Sequence, residues 1–76
     1  MMYHKYKRLP LRPLRRRDIA MFYFSAPKVE SAVRKMARYL NSHLQLTNDL
    51  FAVGFRHGKT WFSVEEVRVL KKHLGH

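Results

Sequence analysis

The chain has 76 residues, 46 % of them hydrophobic, which is enough for one compact domain and too few for a second core. It contains no cysteine, so disulfides and cysteine-based zinc sites are excluded, and its longest apolar run is too short to cross a bilayer. Sixteen Lys and Arg against five Asp and Glu leave a formal charge of +11, and a field of that sign attracts polyanions, of which nucleic acid is the commonest.

The positive charge is concentrated at the N-terminus. Residues 1–17 hold seven basic residues and no acid, whereas residues 18–76 hold nine basic and five acidic residues, a net charge of +4. Pro10 and Pro13 favour extended backbone. We therefore expect a basic extended arm over 1–17 and a compact domain over 18–76. The basic residues of the arm are Lys5, Lys7, Arg8, Arg12, Arg15, Arg16 and Arg17.

The first two elements of the domain differ in their periodicity. Residues 19–24 form a short apolar and aromatic run that is typical of a buried strand. Residues 28–44 instead place apolar side chains at steps of four and three, which predicts an amphipathic helix. These helix positions are Val29, Val33, Met36, Leu40 and Leu44.

Residues 45–49 are interpreted as a loop, and the next segment alternates. Over 50–56, Phe51, Val53 and Phe55 fall on one face, and the residues between them fall on the other. His57 and Gly58 suit a tight turn, and 59–62 returns as a second strand. This pairing places Phe62 beside Phe55 and puts Trp61 over Gly54 on the opposite face.

The last helix has a clear start. Ser63 and Glu66 form a capping box, Phe62 and Val67 have the spacing of a hydrophobic staple, and Gly75 is a natural stop. The order after the arm is β-α-β-β-α. The predicted fold class is α+β, a three-stranded sheet with two helices on one face.

Catalysis and metal binding lack the necessary residues. Glu30, Glu65 and Glu66 lie in first turns of predicted helices, where they favour the helix dipole. The five histidines are scattered without the spacing that zinc requires. We expect a non-enzymatic protein with no cofactor, metal or small-molecule substrate.

Three surfaces compete as binding sites. The arm interleaves its cations with aromatic residues, although a solvated tail or a protein-wrapping arm has the same composition. The open sheet face offers an aromatic ring beside cations, unless Trp61 merely covers a small second core. The polar half of the first helix suits a DNA groove or is simply solvated, and the strand before it argues against a helix-turn-helix. The residues beyond the arm are Arg34, Lys35 and Arg38 with Asn41 on the helix, and Arg56, Lys59 and Trp61 on the hairpin.

The arm over 5–17 and the mixed apolar and basic hairpin over 50–62 resemble those of small phage-encoded regulators that bind bacterial RNA polymerase. The resemblance implies a small basic transcription regulator that binds nucleic acid, RNA polymerase or both. It implies a cytoplasmic location, which is the cytoplasm of the host cell for a phage-encoded protein. Two alternatives remain open: a protein inhibitor or adaptor that grips an acidic surface, and a ribosome- or RNA-associated protein. Membrane binding is the weakest reading, because neither helix has a broad apolar face with anchoring aromatics.

Overall fold

The structure, a computed structural model, describes residues 8–75, and over that range it is mainly helical. Its two short strands form one antiparallel ribbon rather than part of a three-stranded sheet. The predicted α+β fold with two helices on one sheet face is therefore wrong. In chain order the elements are β1 (Leu14–Arg15), α1 (Arg16–Tyr23), α2 (Val29–Ser42), α3 (Leu44–Ala52), β2 (Trp61–Phe62) and α4 (Val64–Leu74).

The predicted strand over 19–24 is the helix α1. Ile19 and Ala20 are fully buried, and the backbone N–H of Phe24 bonds to the Ala20 carbonyl at 2.7 Å where the helix ends. An apolar run of six residues is too short to distinguish a strand from a buried helix turn by periodicity. Packing against α2 decides in favour of the helix.

The predicted amphipathic helix is confirmed as α2, with Ala32, Met36 and Leu40 buried. It ends at Ser42 instead of Leu44, and α3 starts almost at once. The hydroxyl of Thr47 donates a 2.6 Å hydrogen bond to the Leu40 carbonyl, in a buried position. That bond satisfies a carbonyl of the last turn of α2 and fixes α3 against it.

The loop and strand predicted over 45–56 are wrong, because most of this segment is α3. Leu46, Thr47 and Leu50 are buried at helical spacing, while Phe51 is exposed. The alternation over 50–56 was therefore coincidental, since it continued past the end of a helix. Gly54, with φ of +106°, reverses the chain directly after α3.

The predicted hairpin is also wrong in its pairing. A turn does form at 57–58, where the Lys59 N–H bonds to the Arg56 carbonyl at 3.2 Å. However, β2 pairs antiparallel with β1, in the register Leu14↔Phe62 and Arg15↔Trp61. The strand that pairs with β2 is therefore β1, and not the predicted strand over 50–56.

The start and end of α4 are as predicted. The Ser63 hydroxyl accepts from the Glu66 N–H at 3.3 Å, and the Glu66 carboxylate accepts from the Ser63 N–H at 2.5 Å, which completes the capping box. Phe62 and Val67 are both fully buried, and Gly75 ends the helix with φ of +85°.

The basic segment before residue 18 is part of the folded domain from Leu9 onward. Leu9 and Leu14 belong to the buried core, and the Lys71 ammonium donates to the Leu9 carbonyl. The boundary expected after Arg17 falls inside α1. Residues 1–7 of the predicted arm lie outside the described residues. Between residues 8 and 75, no helix combines the length and apolar character needed to span a membrane.

Candidate nucleic-acid interface

The helices α1 and α2 form the most extensive helix–helix contact in the described part of the chain. Only five residues, 24–28, connect them. Ile19 and Ala20 from α1 and Ala32 and Met36 from α2 belong to one buried cluster. A short helix, a five-residue connection and a longer second helix follow one another in the order found in DNA-binding helix-turn-helix units. The sequence-based argument against such a unit is wrong, because a helix and not a strand precedes α2.

The polar face of α2 points away from the core. On a helix of 3.6 residues per turn, Arg34, Arg38 and Asn41 fall within about 40° of the direction opposite the buried residues. All three are exposed. Within residues 8–75, neither guanidinium group enters a salt bridge. The structure therefore places these predicted binding residues together on one accessible helix surface.

A groove of about 560 Å³ runs along one side of that surface, and we call it the arginine groove. Its far wall is the junction of β1 and α1, and its near wall is α2. The Arg15 guanidinium lies 5.3 Å from the centre of the Trp61 ring, which is 51 % exposed, so a cation–π contact joins the two at this edge of the ribbon. The groove is lined by Arg15, Arg16, Arg17, Val29, Glu30, Val33, Arg34, Ala37 and Thr60.

A shallower groove of about 340 Å³ lies along another part of α2, and we call it the aromatic groove. The Tyr39 and His43 rings stack with centroids 3.7 Å apart, and Phe24 lies 5.3 Å from Tyr39. The Lys35 ammonium donates to the Ser25 carbonyl at 3.4 Å, which leaves other N–H groups for a ligand. Arg38 and Ser42 complete the lining.

The hairpin surface predicted from Arg56, Lys59 and Trp61 does not exist as one binding face. The Lys59 ammonium lies 2.9 Å from both carboxylate oxygens of Glu66, which is fully buried. Arg56 donates to the neighbouring Phe55 carbonyl at 2.7 Å. Lys59 therefore compensates an internal charge. Trp61 instead contacts Arg15, which lines the arginine groove.

Tyr23 lies on α1 and has a structural partner. Its hydroxyl donates a 2.8 Å hydrogen bond to the Gly75 carbonyl, near the end of the described chain. Burial raises the pKa of this phenol to about 12, because desolvation disfavours the phenolate.

The cations of the predicted arm fall into different settings. Lys5 and Lys7 lie outside the described residues, Arg8 and Arg12 are exposed, and the three arginines at 15–17 line the arginine groove. Thr60, Phe24 and Tyr39 also line the two grooves and were not predicted from the sequence. The i, i+4 spacing of Tyr39 and His43 within the predicted helix is a signal in the sequence that they could stack.

Metal-ligating side chains do not cluster in the described range. Between residues 8 and 75, no group of three or more His, Asp or Glu residues is positioned to hold a metal ion. The His73 ring and the Asp49 carboxylate lie 2.8 Å apart and link α4 to α3 as a pair.

The molecule is thus a small helical domain that carries a two-stranded ribbon and presents a basic helix between two grooves. Residues 10–76 match the family of the domain of unknown function DUF4248, and the chain belongs to that family. The match begins at Pro10 and therefore includes Leu14, which packs into the core. No curated protein and no solved structure matches the chain.

Proposed function

We propose that this protein is a small, non-catalytic transcription regulator of the cytoplasm that binds nucleic acid through α2. The observation that carries the proposal is the α1–α2 pair, which presents Arg34, Arg38 and Asn41 together on an exposed face. Arg and Asn side chains are those that bind guanine and adenine edges in a bidentate manner. The formal charge of +11 adds long-range attraction to a phosphate backbone.

Two matched pairs of substitutions test whether position or charge alone matters. The variant Arg34→Ala/Arg38→Ala removes two cations from α2, and the control Arg68→Ala/Lys72→Ala removes two exposed cations from α4. The helix α4 packs mainly against α3 and β2, so its cations are not part of the α2 surface.

Affinity for labelled mixed-sequence DNA and RNA is measured by fluorescence anisotropy over a salt series. We expect the α2 pair to weaken binding about tenfold or more, since one base contact contributes about 1–3 kcal/mol, and the α4 pair to have a much smaller effect. Equal losses in the two variants would show that only net charge matters. Absence of binding to either nucleic acid at low salt would overturn the proposal.

A second candidate function is that of a protein-binding inhibitor or adaptor, with RNA polymerase as one possible partner. The observation that favours it is the composition of the arginine groove, which is lined by Val29 and Val33 together with four arginines. An acidic peptide with apolar residues is complementary to such a lining. Purification from a native extract, with and without nuclease, distinguishes the candidates, because a direct protein partner remains bound after nucleic acid is destroyed.

A further inference from the structure

Building on the proposed function, we infer that the ligand of α2 is the major groove of double-stranded DNA, with one strand's backbone in the arginine groove and the other's along the aromatic groove. The inference fails separately from the proposed function if the protein binds RNA or single strands instead. The observation behind it is that α2 lies between two grooves that both contain cations.

The exposed ridge of α2 has a width that fits the major groove of B-DNA. An α-helix with its side chains is about 10–12 Å wide, and the major groove of B-DNA is about 12 Å wide. Arg34, Arg38 and Asn41 are central on this ridge, where side chains of an inserted helix reach base edges. In A-form RNA the major groove is deep and narrow and does not admit a helix.

The two flanks of α2 supply the groups that phosphates require. On one flank, the exposed residue Arg17 lines the arginine groove together with Thr60. On the other flank, Lys35 is exposed beside the aromatic groove. Duplex DNA presents two backbones on either side of an inserted helix, whereas a single strand presents only one. Cations on both flanks therefore favour the duplex.

The aromatic residues beside α2 do not form a platform for single-stranded bases. Tyr39 and His43 are stacked on each other with an angle of 15° between their planes, so each covers a face of the other. One face of the Trp61 ring is covered by the Arg15 guanidinium. Single-strand binding proteins stack successive bases on open aromatic faces. The rings here are better suited to fixing the shape of the two grooves.

The first experiment compares three forms of one sequence with the full chain: duplex DNA, duplex RNA and single-stranded DNA of about 20 nucleotides. We expect duplex DNA to bind about tenfold or more tightly than either of the others, because only B-form duplex accepts the ridge and both flanks. Equal or tighter binding of duplex RNA or single-stranded DNA would overturn the inference while leaving nucleic-acid binding intact.

The second experiment separates backbone contacts from base contacts. Arg17→Ala and Lys35→Ala remove one cation from each flank, Arg38→Ala removes one from the ridge, and Arg68→Ala is the matched control on α4. Each flank variant is expected to reduce the slope of log Kd against log salt by about 0.9 and to weaken all duplex sequences equally. Arg38→Ala is expected to narrow the difference in affinity between G·C-rich and A·T-rich duplexes.

The flanks are assessed against the control in the same salt series. A flank variant with the slope and affinity of Arg68→Ala would show that its groove does not hold a backbone, and the inference would be wrong. Circular dichroism of every variant verifies folding, which exposed helix positions are expected to tolerate within about 0.5 kcal/mol.

Discussion

Two groups of cations in this small protein have opposite surroundings. Arg34 and Arg38 project from α2 without a salt bridge in residues 8–75, whereas Lys59 is paired with a buried carboxylate and Lys71 donates to a buried segment of backbone. The comparison shows that a formal charge of +11 does not measure the charge available to a ligand. Part of it stabilises the fold, and the remainder is held outward on a rigid helix. We call the two groups the outward cations and the paired cations.

The largest expected effect on stability concerns Leu9, whose backbone carbonyl accepts the hydrogen bond from Lys71. Leu9→Ala should lower the free energy of unfolding by about 2–5 kcal/mol, because Leu9 is fully buried and its removal leaves a cavity. Urea denaturation followed by circular dichroism measures this change. The matched control is Leu11→Ala. Because Leu11 is 50 % exposed, this substitution should lower the free energy of unfolding much less. Similar losses for the two leucines would contradict the placement of the N-terminal segment in the core.

The next effect concerns a paired cation directly. Lys59→Ala should cost about 1–3 kcal/mol, because it leaves the Glu66 carboxylate buried without its counter-charge. We expect a value toward the lower end, since the Lys59 side chain is 34 % exposed. Adding Glu66→Gln should recover much of the loss, because a neutral amide still caps the helix. The control Lys72→Ala removes an exposed lysine and should leave urea denaturation almost unchanged. If Lys72→Ala lowered the free energy of unfolding as much as Lys59→Ala, the pairing with Glu66 would not be the source of the loss.

A smaller effect separates the ion pair from the capping box. Ser63→Ala removes the side-chain acceptor of the Glu66 N–H and should cost about 0.5–2 kcal/mol. Ser63→Asp keeps an acceptor at the N-cap and should restore most of the stability. Thermal unfolding of both variants measures the difference. If Ser63→Asp were as unstable as Ser63→Ala, the cap would not be the source of the loss.

The outward cations should be nearly neutral for folding. Arg34→Ala and Arg38→Ala are each expected to change the free energy of unfolding by no more than about 0.5 kcal/mol, as is usual for exposed helix positions. The same urea series used for Lys59→Ala provides the comparison. A loss as large as that of Lys59→Ala in either variant would mean that the arginine is needed for the fold and is not reserved for a ligand.

The last expected effect appears only at high pH and belongs to Tyr23. Its pKa is raised from 10.0 to about 12 in the folded protein, so the neutral phenol stabilises the native state below pH 10. That contribution is lost as the pH rises from 10 toward 12, because the unfolded chain releases the proton first. Tyr23→Phe should therefore show a shallower fall in unfolding free energy over this window. All other side chains are the same in both proteins, so the difference between the two curves reports on Tyr23. Parallel curves would show that the phenol is not desolvated.

Several features followed from local sequence patterns. The periodic apolar positions of α2 predicted a helix with an outward basic face, and the spacing of Ser63 and Glu66 predicted the start of α4. These predictions succeeded because the groups that interact are three or four residues apart, so one turn of helix is sufficient to bring them together.

The errors concern segments whose local patterns were ambiguous. Six apolar residues over 19–24 fit a strand or a buried helix equally well, and the alternation over 50–56 crossed the end of α3. The wrong assignment of 19–24 also hid the helix pair, and with it the strongest structural argument for the candidate site. The sequence predicts Arg34, Lys35 and Arg38 as candidate residues on α2, but the reason for preferring them to the other surfaces is the helix α1 that precedes α2.

The amino-acid sequence by itself determined that this is one small basic domain, that α2 is amphipathic and that α4 begins at a capping box. Only the tertiary structure decided that Leu14 and Arg15 pair with Trp61 and Phe62, and that Lys59 lies against Glu66 while Arg34 and Arg38 remain outward. The first group depends on contacts within a helical turn, which the local sequence specifies. The contacts in the second group join segments that are distant in the sequence. They form because Leu9, Leu14 and Phe62 are buried from water in one core, which brings those segments together.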